Sequence, residues 1–152
     1  MEIKENIYPE LIFVEKKEFD KNEMMEYLVE KISSFKGRDY NEILAAVNQR
    51  EEKLTTAIGL NAAIPHARLD NWGNTVIACL KADKIKNYSS MDNSEVKIVF
   101  LFISDKEKPC EHVNIMSKIS YIIADNSNID ILKSIDNKDE FYNSIIEMCD
   151  TL

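Results

Sequence analysis

Two histidines are the residues of this chain with the clearest capacity for chemistry near neutral pH. His66 lies in the stretch AAIPHAR, residues 62–68, and His112 is the second of the two. A neutral imidazole carries a proton on one ring nitrogen and a nucleophilic lone pair on the other. Pro65 fixes its own φ and favours an extended Ile64. We therefore expect a stiff backbone to present His66, as attack on phosphorus requires.

Three further groups are candidates to assist His66. His112 is predicted at a helix start, where free N–H groups and the positive end of the helix dipole favour an anion such as a phosphoryl group. Arg50 and Arg68 could donate charge-assisted hydrogen bonds to its oxygens. The sequence alone does not establish that these residues converge. By default His66 is a structural histidine, Arg50 compensates a helix dipole and Arg68 is a rim charge.

Two other chemistries are compatible with the same residues. Cys110 and His112 could join His66 around zinc, although no Cys-x-x-Cys or His-x-x-x-His pair supports this. Cys110 near a helix start could also be a thiol with a depressed pKa. We expect neither a metal nor a cofactor.

Capping residues predict two helices before the His66 stretch. Asp20 with Glu23 forms a capping-box pattern, and Gly37 ends the helix that follows. Asp39 with Glu42 repeats the design and places Arg50 in the last turn of the second helix. The segment TTAIGLNAAIPHAR then has no helical period, so we expect extended chain with turns.

The rest of the sequence predicts a sheet covered by helices. Strands are predicted at residues 11–14 and in the apolar runs NTVIACLKAD and EVKIVFLFISD, the second buried on both faces. A third helix begins near Pro109, and two more helices follow it. The inward stripe predicted for this third helix is Val113, Met116, Ile119 and Ile123. The inward stripe predicted for the last helix is Phe141, Ile145 and Met148. We predict a single α/β domain, a mixed sheet of about four to five strands sandwiched between helices.

Composition excludes some partners and favours a cytoplasmic location. The 19 basic and 27 acidic residues give a net charge of −8, which disfavours nucleic acid. The acidic N-terminus is unlike a signal peptide, and no apolar run approaches the length of a membrane span, so we expect no membrane insertion. Three widely spaced cysteines are typical of reduced thiols, and Cys79 is expected in the core.

The stretch NQREEKLTTAIGLNAAIPHAR resembles the active-site region of enzyme IIA proteins of the bacterial sugar phosphotransferase system. The resemblance is to the fructose/mannitol (type 2) superfamily, which includes the nitrogen-regulatory branch. It comprises an Arg-Glu pair (Arg50, Glu51), Thr56, Gly59 and the run Ala-Ile-Pro-His that ends at His66. EHVNIMSKIS matches the family's second histidine at His112, and the similarity covers nearly the whole chain, residues 1–152, as one EIIA domain.

The resemblance implies a free-standing phosphoryl carrier that needs no metal. His66 would accept a phosphoryl group from phospho-HPr and pass it to an enzyme IIB domain, which serves the membrane permease IIC in coupled sugar uptake and phosphorylation. His112 would contact the phosphoryl group and Arg50 would support the pocket. The alternative is a regulatory protein of the nitrogen-related type, whose phosphorylation state controls partner proteins.

The sequence also departs from the family pattern at three positions. Ala57 and Asn61 stand where glycine is usual, and Leu60 stands where a polar residue is common. Asn tolerates left-handed backbone better than other non-glycine residues, so Asn61 is expected to be a mild change.

Overall fold

A mixed β-sheet with helices on both faces organises the chain, and the computed structural model describes residues 2–152. The strands are β1 (Ile7–Asp20), β2 (Ala57–Gly59), β3 (Ala62–Ala63), β4 (His66–Leu69), β5 (Val76–Lys86) and β6 (Val96–Asp105). The helices are α1 (Lys21–Lys36), α2 (Tyr40–Lys53), α3 (Pro109–Ile123), α4 (Asn126–Ser134) and α5 (Lys138–Asp150), after a 3-10 turn at Ile3–Asn6.

The sheet confirms the predicted α/β class and adds strands to it. Its order is β1-β5-β6-β3-β2, with β4 also paired to β6. β5 and β6 are antiparallel, whereas β1 runs parallel to β5, and both β3 and β4 run parallel to β6. In the described residues the sheet has six strands because the extended segment that leads to and includes His66 contributes three short ones.

Alternation along β6 separates the core into two layers. Val99, Leu101 and Ile103 pack with α1 and α2, whereas Phe100 and Phe102 pack with α3 to α5. A strand with apolar side chains on both faces must be covered on both faces. The prediction of a central, doubly buried strand is therefore confirmed, and Cys79 is fully buried as expected.

The caps of the first two helices follow the sequence pattern. The Asp20 carboxylate accepts from the Asn22 backbone N–H, and Glu23 accepts from the Asp20 N–H. Gly37 ends α1 with a φ of 69°, and Asp39 accepts from the Glu42 N–H at 2.9 Å. These caps fix where α2 begins, and so place Arg50 in its last turn.

Two local predictions need correction. The strand predicted at residues 11–14 is the middle of the longer β1. The segments on either side of it, IYPE and EKKEFD, show no regular apolar alternation. Val113 is 66% exposed rather than inward. Ile115, two positions after Val113, belongs to the buried stripe. Two positions correspond to about 200° around a helix, so Val113 lies on the opposite face. The inward face of α3 consists of Ile115, Ile119, Ile122 and Ile123.

The inward face of α5 agrees better with the prediction. Phe141, Ile145 and Met148 are all buried on α5. Within residues 2–152, none of the helices combines the length and the apolar character that crossing a bilayer requires.

Candidate active site

His66 is the first residue of β4, and the residue is only 7% exposed. Its Nδ1 lies 2.8 Å from the carbonyl oxygen of Ile64. A carbonyl oxygen can only accept a hydrogen bond, so Nδ1 carries the ring proton. The lone pair is therefore on Nε2, which makes Nε2 the nucleophilic atom.

Arg50 contacts Nε2, the ring nitrogen of His66 that carries the lone pair. Its Nε–H donates to Nε2 of His66 at 3.1 Å, and its Nη1 donates to the Leu54 carbonyl oxygen at 2.9 Å. Because a guanidinium only donates, this contact requires the same tautomer of His66. The second bond anchors the guanidinium to the end of α2.

The aromatic ring of Phe102 forms the floor beneath His66. The two rings are stacked, with centroids 5.3 Å apart and an interplanar angle of 17°. The register of β4 against β6 places His66 opposite Phe102 and Arg68 opposite Ser104. This pairing fixes the ring of His66 against a rigid, fully buried side chain.

His112 lies beside His66 although the two are far apart in sequence. Their ring centroids are 5.3 Å apart, and Phe102 contacts both rings. Pro109 occupies the first turn of α3, as predicted, and His112 is also in that turn. Nδ1 of His112 is hydrogen-bonded to the hydroxyl of Ser104, which fixes the direction of its ring.

Both imidazoles have lowered pKa values. Burial is the main cause for His66, and the nearby guanidinium of Arg50 adds to it, whereas the Ile64 carbonyl and the Glu51 carboxylate oppose it. Burial, followed by the charges of His66, Arg68 and Arg50, lowers the pKa of His112 to about 4. Both rings are therefore neutral near neutral pH, the form that a nucleophile requires.

A cleft of about 490 Å³ opens over the two histidines. Cationic side chains along it are Arg50, Lys53, Arg68 and Lys106, with the carboxylate of Glu42 among them. The positive lining contrasts with the net charge of −8 of the chain. Such a cleft attracts an anionic group to the nucleophile.

Glu51, next to Arg50, is turned away from the cleft and is nearly buried. Its carboxylate accepts from the backbone N–H of Thr56 at 2.9 Å and from the Thr56 hydroxyl at 2.5 Å. Lys21 and Tyr88 approach the same carboxylate at 3.2 and 3.4 Å. The end of α2 is thereby tied to the segment that leads to His66.

The alternative chemistries gain no support from the geometry. Within residues 2–152, no group of three or more His, Cys, Asp or Glu side chains is arranged to hold a metal ion. Cys110 is exposed and lies on the surface with Pro109 and Val113 rather than in the lining of the cleft.

The structure brings together the three residues that the sequence named, His66, His112 and Arg50, and places Arg68 at the exposed rim. Sequence reasoning missed Ser104 and Phe102. Ser104 is the one hydroxyl inside the apolar run VFLFIS and is fully buried. A buried hydroxyl needs a partner, so this was a usable signal. No signal pointed to Phe102, because its role depends on strand register.

Two of the three positions that depart from the resemblance, Leu60 and Asn61, form the turn between β2 and β3. Leu60 and Asn61 have φ values of 56° and 68°, so Asn61 does adopt the left-handed backbone expected of it. Leu60 also adopts it, and Asp92 holds this turn by accepting from the Leu60 N–H at 2.9 Å. Ala57 needs no glycine because it lies in β2.

Comparison with known protein families identifies one matching family. Residues 5–148 match the family described as phosphoenolpyruvate-dependent sugar phosphotransferase system, EIIA 2. A nitrogen regulatory protein of Bradyrhizobium diazoefficiens is 27% identical over 125 residues, which cover 82% of each chain. A fructose-specific EIIA component of Haloferax volcanii is 26% identical over 73% of each chain.

Solved structures share the fold at low sequence identity. The nitrogen regulatory protein IIA-Ntr of Neisseria meningitidis superposes with a TM-score of 0.87 at 17% identity, covering 94% of this chain and 98% of its own. Enzyme IIA mannitol of Escherichia coli, in a complex with phosphorylated enzyme IIB mannitol, superposes with a TM-score of 0.71 at 18% identity over 97% and 96%.

Proposed function

The chain belongs to the EIIA 2 family of the phosphoenolpyruvate-dependent sugar phosphotransferase system, and from this premise we propose that it carries a phosphoryl group on Nε2 of His66. The family supports phosphoryl transfer in general. The observation that carries the specific assignment is the pair of contacts on the His66 ring, with Nδ1 on the Ile64 carbonyl and Nε2 at the cleft beside Arg50.

In the proposed reaction the lone pair of Nε2 attacks the phosphorus of phospho-HPr. A new P–N bond forms to His66 while the P–N bond to the donor breaks, and its electron pair returns to the donor imidazole. The proton on Nδ1 stays in place, and the Ile64 carbonyl stabilises the positive ring of the adduct. The energetic demand is small because one activated phosphoryl carrier replaces another, so positioning and charge dominate.

Arg50 and His112 are proposed to bind the transferred group. The hydrogen bond from the Nε–H of Arg50 to the lone pair of His66 Nε2 must break before attack. The guanidinium can then donate to the phosphoryl oxygens. If the Ser104 hydroxyl donates to Nδ1 of His112, the Nε2–H of His112 is left as a donor to the same oxygens. No metal ion enters these steps.

We propose that an enzyme IIB domain accepts the phosphoryl group and passes it on for sugar uptake through the membrane permease. The mannitol relative is known in a complex with a phosphorylated IIB, and the Haloferax relative is a fructose-specific EIIA component; both support this direction of transfer. The chain, residues 1–152, is proposed to act as a single EIIA domain.

A regulatory role is the second candidate. The similarity to the nitrogen regulatory protein of Bradyrhizobium extends over 82% of the chain and favours it. In that role His66 is still phosphorylated, but the phosphorylation state controls binding to other proteins instead of feeding a permease. The two roles differ in whether a IIB domain accepts the group.

The test is incubation with enzyme I, HPr and phosphoenolpyruvate, followed by mass mapping of the modified residue. We expect one phosphoryl group on His66 that is lost in acid and kept in base, and none on His66→Ala. Unchanged phosphorylation of His66→Ala would refute the assignment. Transfer to candidate IIB domains then separates the transport role from the regulatory one.

His112→Ala gives a second test of the proposed site. This variant should fold and accept a phosphoryl group, because its nucleophile is intact, but transfer to IIB should slow by about tenfold or more, as for the loss of one donor to a charged transition state. A transfer rate equal to that of the wild type would remove His112 from the mechanism.

A further inference from the structure

We propose that Glu51 is a positioning residue that fixes the orientation and the tautomer of His66 through Thr56 and through the backbone N–H and carbonyl of Ile64. The inference rests on the proposed function only in its kinetic consequence, since the state of the His66 ring can be observed without any phosphoryl transfer. The contacts form an unbroken series from one carboxylate to one ring nitrogen.

The first link is the buried carboxylate itself. The side chain of Glu51 is 8% exposed, and its neighbours are hydrogen-bond donors: the N–H and the hydroxyl of Thr56, the Lys21 ammonium and the Tyr88 hydroxyl. A buried carboxylate is tolerated only when its oxygens are satisfied in this way. Thr56, itself buried, is therefore held by both its backbone and its side chain.

The second link runs from Thr56 to the histidine. The carbonyl oxygen of Thr56 accepts from the N–H of Ile64 at 2.9 Å. The carbonyl oxygen of the same Ile64 then accepts from Nδ1–H of His66 at 2.8 Å. Fixing the Ile64 residue at its N–H fixes the acceptor that decides which ring nitrogen of His66 keeps the proton.

The position of Glu51 next to Arg50 adds a geometric argument. Arg50 contacts Nε2 of His66 directly, and Glu51 acts on the Nδ1 side through Thr56 and Ile64. The last turn of α2 thus restrains the imidazole at both ring nitrogens, with two consecutive residues that point in different directions. A purely stabilising carboxylate would have no need to connect to the acceptor of the Nδ1 proton.

Charge supports the same assignment. The Glu51 carboxylate raises the pKa of His66, against the lowering by burial and by Arg50. It therefore preserves some basicity, and with it nucleophilicity, in a ring that burial makes less basic. Removing the charge should move the titration of His66 to lower pH.

The test compares Glu51→Gln with Glu52→Gln. Both remove one negative charge at adjacent positions, but Glu52 is exposed. Glutamine at position 51 replaces one carboxylate oxygen with an NH₂ group, which cannot accept a hydrogen bond from the donors around it. We expect the contacts that lead from position 51 to His66 to loosen. Thr56→Val removes the hydroxyl link to Glu51 together with the contact between that hydroxyl and the Tyr88 hydroxyl, and it serves if Glu51→Gln does not fold. Thr56→Ser retains both contacts and is its matched control.

The primary readout is nitrogen NMR of the His66 ring in the unphosphorylated protein, assigned by comparison with His66→Ala. We expect one tautomer, protonated at Nδ1, in the wild type, in Glu52→Gln and in Thr56→Ser. In Glu51→Gln and Thr56→Val we expect mixed tautomers, and in Glu51→Gln also a lower titration midpoint. Phosphoryl acceptance per folded molecule should fall about tenfold in Glu51→Gln, within the range for a displaced reacting group.

The proposal is overturned if Glu51→Gln, or Thr56→Val in its place, only lowers thermal stability. The His66 ring signals and the acceptance rate per folded molecule would then equal those of the wild type. Failure of the proposed function is a separate result, because it would be seen as absent phosphorylation of wild-type His66 whatever the tautomer.

Discussion

The proposed chemistry depends on the imidazole of His66, and both of its ring nitrogens have hydrogen-bond partners. The Ile64 carbonyl accepts a hydrogen bond from Nδ1–H, and the Nε–H of Arg50 donates to Nε2. Stacking on Phe102 limits rotation of the ring. The orientation of the ring is thus set in the unphosphorylated protein, and in the proposed reaction this lowers the entropic cost of transfer.

The depressed pKa of His112 has a consequence for stability. Its folded-state value of about 4 lies below its ordinary value of 6.5. Between these values the unfolded chain binds a proton that the folded chain does not, so the free energy of unfolding falls as pH drops from 6.5 toward 4. In His112→Gln this contribution is absent, and the pH dependence in that window should be weaker.

Urea titrations at several pH values between 4 and 6.5 measure this effect. Differences between the two proteins isolate His112 because the carboxylates that titrate in the same range are common to both. Parallel curves of stability against pH would show that the pKa of His112 is not depressed by folding.

At this scale the sequence predicts much of the candidate site. The Ala-Ile-Pro-His run and the predicted helix start named His66 and His112, and helix capping placed Arg50. The contact between His66 and Phe102 could not be predicted, because strand register follows from pairing with a distant segment. The acceptor of the Nδ1 proton also depends on local backbone geometry that residue types do not specify.

Among the elements, the hairpin of β2 and β3 is the segment that delivers the chain to His66. Its two-residue turn at Leu60 and Asn61 has positive φ at both positions, as in the turns preferred by hairpins. The Asp92 carboxylate stabilises this turn through its hydrogen bond with Leu60. Hydrogen bonds from Leu60 and Ser94 hold the pKa of the Asp92 carboxyl well below its usual range. A distortion here would reach the site through Thr56 and Ile64.

Gly59 in this hairpin is predicted to be intolerant of a side chain. Its φ is 104°, and a Cβ there would lie 2.9 Å from the Asp92 carboxyl carbon. Gly37 also has positive φ, but a Cβ there meets nothing within 4 Å. Gly37→Ala should therefore cost about 1–2 kcal/mol, the strain of left-handed backbone, and Gly59→Ala should cost more.

Chemical denaturation of the two variants checks this difference. Gly59→Ala should also reduce the rate of phosphoryl acceptance per folded molecule, whereas Gly37→Ala, at the far end of α1, should leave it unchanged. If both variants lose the same free energy of unfolding, the close approach between a Cβ at position 59 and the Asp92 carboxyl does not contribute to the cost.

The elements show where sequence patterns succeed and where they do not. Caps at Asp20 and Asp39 located α1 and α2 because capping is decided by neighbours in sequence. The face of α3 was misjudged at Val113 because several apolar residues compete there, and the sheet selects the face containing Ile115. The short strands around His66 are too short to show a periodicity in sequence. β3 and β4 form by pairing with β6, and β2 forms by pairing with β3.

For the whole molecule, charge distribution matters more than net charge. The chain carries −8 overall, yet the cleft over His66 is lined with basic side chains. A negative surface around a positive cleft directs an anionic group to one place. Prediction from composition could state the net charge but not this separation, since basic residues from α2, β4 and the end of β6 meet only after folding.

Arg68 at the rim of the cleft is predicted to accelerate reaction with an anionic donor. With phosphoramidate as a small phosphoryl donor, Arg68→Gln should slow phosphorylation of His66 by about threefold at low salt, and the effect should shrink as salt screens it. Lys16→Gln, which makes the same change in net charge at an exposed site on β1, is the control. Equal rates for both variants would contradict a role for the local field.

The most direct test of the central claim is to identify the ring nitrogen that carries the phosphoryl group. The protein is labelled with nitrogen-15 in its histidine rings, phosphorylated through enzyme I and HPr, and examined by nitrogen and phosphorus NMR. The contacts of His66 predict a bond between phosphorus and Nε2, with the proton retained on Nδ1. A phosphoryl group on Nδ1, or on any residue other than His66, would contradict the account.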